Sequence, residues 1–304
     1  MKIFHSFGEA DKKEKLSMAF GYFDGIHLGH KKIIEEQDKS LKNCVVTFDK
    51  HPMDLINKQK APKRLMTMDE KIEYLTEMGI DYLFIISFDY DFMNLKDTEF
   101  VNLVLDNVNM QKMKVGFNYH FGKNGSGDSE LLKKLSKEKG FEIKVVDEFK
   151  IDNERVCSTA IRNYIKDGNI QKANKFLGRP YMVEGIVCEG KHLGRQIGIP
   201  TANIFPDEIK AMPKRGVYVS RVTIDNEVFY GISNVGVNPT FRETPRVETN
   251  IFDFDRDIYG KKIKVEFLEF EREERAFDSI EELKTTIQKS IQFGKNYVKN
   301  KLNY

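Results

Sequence analysis

The feature that most restricts this chain is a change of rhythm near Phe176-Leu177-Gly178-Arg179-Pro180-Tyr181. Ahead of it, apolar runs of strand length at 16–20, 43–49, 82–88, 113–117 and 141–146 alternate with segments of helical period at 31–37, 68–75, 98–107 and 129–139. Strands joined through helices pair in parallel, and a parallel sheet needs cover on both faces, so this half predicts a Rossmann-like α/β layer. Beyond it, short β runs at 183–187, 216–222, 227–232, 248–252 and 262–268 are broken by Gly, Pro and Asn, and Asp225-Asn226 suits a hairpin turn. Such strands, followed by one helix from 279 to about 299, predict a small antiparallel β-barrel with a terminal helix packed on it. A length of 304 residues accommodates both. The expected domains are therefore 1–180 and 181–304.

Composition narrows the function. With 40% hydrophobic and 32% charged residues the chain folds, and a net charge of +2 gives no footprint for nucleic acid. The lysines are interleaved with acids along the helices and read as solvated faces. Cys44, Cys157 and Cys188 are an odd number without a Cys-x-x-Cys pair, which fits a reducing compartment. No apolar run reaches the roughly eighteen residues of a membrane span and the first residues lack a signal-peptide core, so a cytoplasmic protein without membrane attachment is expected. Self-association is left open.

Chemistry concentrates first in Gly21-Tyr22-Phe23-Asp24-Gly25-Ile26-His27-Leu28-Gly29-His30, between the 16–20 strand and the helix that follows. Two histidines three apart share one face of a first helical turn, beside unpaired N–H groups and the positive end of the helix dipole. That is a place for anionic oxygens and for charge developing on a transferred phosphoryl or nucleotidyl group. Gly25 and Gly29 let the backbone come close. A zinc site is the rival, without a Cys or Glu at ligand spacing nearby. The glycine-rich stretch Asn118 to Asp128 falls at another strand end, where exposed N–H groups suit phosphate, or a plain loop. Arg155, Ser158, Thr159 and Arg162 suit a triphosphate, with simple helix capping by Ser158 or Thr159 as the alternative.

In the β half, Gly190 to Asn203 is a basic glycine-rich loop ending in Pro200-Thr201-Ala202-Asn203. If extended, Thr201 and Asn203 point to one face, and their oxygens are hard ligands suited to magnesium on ATP phosphates. Glu248 opens a strand after the loop 234–241; taken alone, it reads as a solvated surface carboxylate.

In their order these motifs resemble the bifunctional bacterial riboflavin kinase/FAD synthetase (FMN adenylyltransferase) family, from about Leu16 to about Asn296. The His-x-Gly-His signature by itself resembles the nucleotidyltransferase superfamily. The resemblance implies a transferase that uses ATP to phosphorylate riboflavin to FMN and to adenylylate FMN to FAD, with Mg2+ as cofactor and riboflavin, FMN, FAD and ATP as ligands. It implies ATP and phosphate contacts at Gly21, Phe23, Asp24, Gly25, Arg155, Ser158, Thr159, Arg162, Gly190, Lys191 and Arg195, with His27 and His30 catalytic. Asn118, Phe121 and Asn238 would seat flavin, Thr201 and Asn203 the metal, and Glu248 would be the base for the ribityl hydroxyl. The chain departs from the family's pattern at Lys50, Cys157, Ile199, Thr286 and Ser290, where proline, serine, phenylalanine, glutamine and aspartate are common. Rival readings are a monofunctional FAD synthetase with an inactive kinase-like domain and a flavin-binding regulator without turnover.

Overall fold

The computed structural model describes residues 1–189, Gly194, 198–238 and 244–301. It divides into two compact units, Met1–Ser158 and Thr159–Tyr304.

The first unit is built on six parallel strands, β1 (Lys2–Phe4), β2 (Leu16–Phe20), β3 (Lys42–Phe48), β4 (Tyr82–Ile86), β5 (Met110–Gly116) and β6 (Glu142–Val146), in the order β1-β4-β3-β2-β5-β6. Every residue of β2 and β4 is buried, as expected of parallel strands covered on both faces. Alternation divides the side chains: Leu16, Met18, Phe20 and Phe84 pack into one layer, Ala19, Val45, Leu83 and Ile85 into the other. Truncating fully buried Phe84 to Ala would cost about 3–5 kcal/mol. The helices α1 (Leu28–Ile34), α3 (Met68–Glu77), α5 (Asp97–Asn107) and α6 (Ser129–Lys139) occupy the segments expected of them. Beyond β3 comes the short α2 (Pro52–Ile56), entered through Pro52 in its first turn, and α4 (Tyr90–Met93) follows β4. Edge strand β1 has too few residues for a visible period. Strand order turns back at β2, whose neighbours are β3 and β5, and ligands of open α/β sheets bind at the carboxyl ends beside such a point.

After the small ribbon β7 (Lys150–Ile151) and β8 (Glu154–Arg155), α7 (Ser158–Asp167) and α8 (Ile170–Leu177) lead into the second unit. Its strands β9 (Tyr181–Ile186), β10 (Ala202–Ile204), β11 (Gly216–Ile224), β12 (Glu227–Asn238), β13 (Thr244–Ile251) and β14 (Lys262–Arg272) form one antiparallel sheet, β10-β13-β12-β11-β14-β9. Asp225 and Asn226 both take positive φ, 50° and 67°, the type I′ geometry their sequence predicts. The sheet curls until its ends meet through a bridge in which the Cys188 N–H donates to the Asn203 carbonyl at 2.8 Å. Residues 159–180 pack with this barrel: the Asn174 amide donates to the Phe267 carbonyl at 2.8 Å and accepts from the Tyr181 N–H at 2.7 Å. The compact unit therefore begins earlier than the change of rhythm. The terminal helix α9 (Ile280–Lys301) covers the barrel closely at Gly294, where a Cβ would lie 2.7 Å from the Phe252 ring. Among the described residues no helix is long and apolar enough to cross a membrane.

Candidate active sites

In the first unit β2 runs out into the Gly21–His30 turn at the switch point. Phe23 and Ile26 take φ of 54° and 38°, beside Gly25 at 82°. For a β-branched residue that conformation is costly, and strain of this kind collects where a backbone must present itself to a ligand. Much of the turn is clamped from below. The buried Asp24 carboxylate accepts the Leu65 N–H at 2.8 Å and the Met66 N–H at 3.3 Å, and the Ser158 hydroxyl donates to the Asp24 carbonyl at 2.9 Å. The Lys71 ammonium donates to the Tyr22 carbonyl at 2.6 Å and to the Thr47 hydroxyl at 3.0 Å. Burial lowers the Lys71 pKa to about 8, opposed by Asp24 and reinforced by Arg64. Arg64, held by the Asp54 carboxylate, lies 5.8 Å from the centre of the Tyr22 ring. Burial raises the Tyr22 phenol to about 12, against the pull of Arg64.

His27 is the N-cap of α1. Its Nδ1 accepts the His30 N–H at 3.2 Å, which leaves the ring proton of a neutral His27 on Nε2. The two imidazoles stack with centroids 3.5 Å apart, and a Cβ on Gly29 would press to 3.2 Å of the His27 ring. Any side chain at 29 would crowd the stack. Asn118 is exposed just beyond β5, across the switch point. Phe121 instead lies in the core, 5% exposed, with Phe100 and Tyr119 at 5.7 and 6.0 Å. Arg155 sits 4.7 Å over the exposed Phe117 ring. Thr159 and Arg162 lie on α7 in the second unit, the guanidinium donating to the Thr159 hydroxyl at 3.4 Å.

Sequence reasoning missed three features here. Lys71, among the helix lysines read as solvated, and Lys114, on the strand expected at 113–117, are buried. The signal available was position: Lys114 lies between Met113 and Val115 on a strand of a sheet covered on both faces, and Lys71 follows Glu70 of the Thr67–Glu70 capping box in the first turn of its helix. A half-buried aromatic edge, Phe48, Phe88 and Phe92, stands at the carboxyl ends of β3 and β4 with centroids 5.2 to 5.9 Å apart.

In the second unit register builds the site. Asn203, Glu248 and Asn234 are direct partners on β10, β13 and β12, so pleating places all three on one face. Glu248 lines a cavity of about 530 Å³ with Asn234, Arg272, Phe277 and Ser290. A second cavity, about 350 Å³, is lined by Ala202, Phe254 and Tyr259, and Thr201 lines both. Glu248 is therefore no free surface carboxylate: its Oε1 lies 2.6 Å from an Arg246 nitrogen. Asn203 is 6% exposed, and among the described residues its buried Oδ1 has no hydrogen-bond partner. At the far end of the larger cavity the Ser290 hydroxyl donates to Glu271 at 2.8 Å and accepts from Arg272 Nε at 3.2 Å, while Thr286 accepts from Arg275 at 2.8 Å. Gly190, Lys191, Arg195 and the Asn238 side chain lie outside the described residues. No group of three His, Cys, Asp or Glu gathers for a metal among the described residues.

Residues 9–160 match the family described as FAD synthetase, and residues 177–298 match that described as riboflavin kinase. A Bacillus subtilis protein named bifunctional riboflavin kinase/FMN adenylyltransferase is 34% identical over 301 residues, covering 95% of each chain. The Escherichia coli K12 protein of the same name is 33% identical, over 93% of this chain and 92% of its own. A crystal structure titled as a macrolide-efflux protein from Streptococcus pneumoniae shares the fold, with a TM-score of 0.87, 30% identity and 98% of each chain covered.

Proposed function

Because the chain belongs to the family of bifunctional riboflavin kinase/FMN adenylyltransferases, we propose a division of its two reactions between its two halves. The enzyme phosphorylates riboflavin to FMN with ATP and adenylylates FMN to FAD with release of pyrophosphate. The observation that carries the division is that His27 with His30 and Glu248 belong to different compact units.

In residues 1–180 a phosphate oxygen of FMN attacks the α-phosphorus of ATP. One P–O bond forms, the bond to the α,β-bridging oxygen breaks, and pyrophosphate leaves with that electron pair. His27 Nε2–H, His30 and the α1 N-terminus face the charge growing on the phosphates, where fixed donors act most strongly. The turn Gly21, Phe23, Asp24, Gly25 presents its backbone to ATP, with Arg155 and Ser158 as triphosphate ligands. Asn118 and the aromatic edge of Phe48, Phe88 and Phe92 serve the flavin, and Phe121 supports that loop from the core.

In residues 181–304 the larger cavity takes riboflavin and the smaller takes the adenosine end of ATP, since Thr201 marks where they adjoin, beside Asn203 and Glu248. Glu248 accepts the proton of the terminal ribityl hydroxyl as its oxygen bonds to the γ-phosphorus; the bond to the β,γ-bridging oxygen breaks and ADP departs with the pair. Thr201 and Asn203 fit magnesium, because a buried amide oxygen without a partner is what a hard cation completes. When bound, that ion supplies charge neutralisation on the phosphates. Gly190, Lys191, Arg195 and Asn238 complete the ligand set by position in the motif. The three free cysteines fit work in the cytoplasm.

Incubating the protein with riboflavin and magnesium-ATP and separating the flavins tests the reading. FMN should appear first and FAD after it. FAD formed from supplied FMN but no FMN from riboflavin would leave a monofunctional FAD synthetase.

A further inference from the structure

Two arginine–glutamate pairs in the β unit differ in a way that bears on catalysis. Arg221 and Glu266 form a closed fork, Nε to Oε2 at 2.5 Å and NH2 to Oε1 at 2.6 Å. Both donors that face the carboxylate are used, as in a structural pair. Arg246 meets Glu248 at 2.6 Å through NH2, and among the described residues its buried Nε–H has no acceptor. The side chain is 17% exposed, so water does not readily take the place of that acceptor. Arg246 and Glu248 are two apart on β13 and hence on one face, and Arg246 stands opposite Gly236.

A second unmatched atom lies on the other flank of Glu248. Asn203, its direct partner on β10, has a buried oxygen with no donor among the described residues. A carboxylate thus stands between an arginine short of an anionic oxygen and an amide short of a cation. A buried polar atom left unmatched is unfavourable unless a ligand completes it. One ligand satisfies both: a phosphoryl group carried with its divalent cation.

We propose that Arg246 is a catalytic residue of the kinase half, donating from Nε to an oxygen of the phosphoryl group in flight while NH2 stays on Glu248. This rests on the reading of Glu248 as base. The hydroxyl hydrogen-bonded to Glu248 and the phosphorus held by Arg246 are then fixed against each other by one guanidinium plane, which confers reactive proximity. As the O–P bond forms and the bond to ADP breaks, the proton passes to Glu248, and Arg246 balances the charge spread over the equatorial oxygens.

The test uses the full chain with Arg246→Gln and Arg246→Lys. Loss of one transition-state donor is worth about 100- to 1,000-fold, so Arg246→Gln should lower kcat for FMN formation into that range, and Arg246→Lys less, because it keeps charge without the fork. Riboflavin affinity, read by flavin fluorescence, and FAD formation from FMN should hold. The decisive readout is binding of magnesium-ADP with and without tetrafluoroaluminate, a planar mimic of the group in flight. Both variants should bind magnesium-ADP nearly as wild type and lose most of the gain that tetrafluoroaluminate adds. Equal weakening with and without it, or kcat within about threefold of wild type, far below a donor's worth, overturns the proposal. Glu248→Gln is the control: if it keeps kinase turnover the underlying reading fails, whereas its loss beside an active Arg246→Gln refutes Arg246 alone. Should Arg246→Gln not fold, Arg246→Lys decides by the same comparison.

Discussion

In the first unit the groups proposed to face phosphate sit at the ends of elements: a strand stops, a strained turn follows, and a helix begins with His27 as its cap. In the second they stand abreast on the wall of a curled sheet, Asn203, Glu248 and Asn234 in one register row. Helix ends supply backbone donors and a dipole, which suits stabilising a large anion while pyrophosphate leaves. A sheet wall supplies side chains at fixed spacing of about 5 Å, which suits placing a base, a cation ligand and a guanidinium around one small nucleophile. The two materials also fail differently. Backbone donors survive most substitutions and are lost when the turn moves; side-chain donors are lost one at a time.

The sharpest way to break this contrast is Glu248→Gln, which keeps shape and removes basicity. General-base assistance is worth about 100- to 10,000-fold, so FMN formation should fall into that range while FAD formation from FMN stays near wild type. Both rates on one preparation, with riboflavin affinity by fluorescence, decide it; kinase turnover within about threefold, outside that range, would return Glu248 to a structural role beside Arg246. The mirror experiment is His27→Ala or His30→Ala. Loss of a donor to the developing charge should lower FAD formation by roughly 100- to 1,000-fold and leave FMN formation intact. If both activities fall together in a folded variant, the reactions are not divided between the units.

The sequence made the α/β half legible because parallel strands are apolar throughout and their helices keep a period; β2 to β6 lie within a few residues of their expected places. Strand β12 extends to Asn238 instead of stopping near 232, because Ser233, Asn234 and Gly236 interrupt the apolar pattern without interrupting the ladder. Helix α8 was illegible as part of the barrel unit, since its allegiance rests on Asn174 meeting the Phe267 backbone 93 residues on. Of the sites, the histidine turn was readable locally, whereas the Asn203–Glu248–Asn234 row depends on strand pairing that no local pattern encodes. The inward lysines were misread for a related reason: a lysine faces solvent unless carbonyls from elsewhere in the fold surround it, and the backbone carbonyls that hold Lys114 come from Ile34 and Glu35.

Acid should separate the units next. In the first, burial pushes the Glu36 carboxyl up, but hydrogen bonds from Ser17, Asp38 and Gln37 and the charge of Lys114 outweigh it and bring the pKa to about 2. Its folded value lies below the unfolded one, so its stabilisation is present above about pH 4.5 and is lost as pH falls toward about 2. In the second, burial raises Glu271 despite the Ser290 hydrogen bond, so that group destabilises the ionised folded state and is relieved as pH falls through its raised value. The first unit should weaken in acid while the Glu271 contribution moves the other way. Glu36→Gln should cost about 3 kcal/mol at pH 7 and flatten the acid slope. Denaturant unfolding at pH 7 and at about pH 3, inside that window, checks it; an unchanged slope would place the acid sensitivity elsewhere.

The smallest effect expected separates positioning from stability at Lys71. Its ammonium is buried beneath the histidine turn, and a desolvated charge is weak support for a fold, because an apolar side chain of equal volume often does as well. What the ammonium does hold is the Tyr22 carbonyl, at 2.6 Å, together with Thr47, whose own hydroxyl donates to that carbonyl at 2.9 Å. Lys71→Met preserves the volume and the Thr47 bond and removes only the charged donor. A hydrogen bond from a charged group is worth about 1.5–3 kcal/mol, and with Thr47 still in place the lower part of that range applies, so FAD formation should fall by roughly tenfold. The melting temperature should hold or rise, and FMN formation should be unchanged, since the turn that Lys71 holds belongs to the first unit. If FAD formation stays within about twofold, well short of one charged hydrogen bond, the turn keeps its geometry without Lys71. The contrast between a site made of backbone and a site made of side chains would then extend to how each is anchored, because Arg246 and Glu248 hold each other within one strand while the turn would depend on Asp24, Thr47 and Ser158 alone.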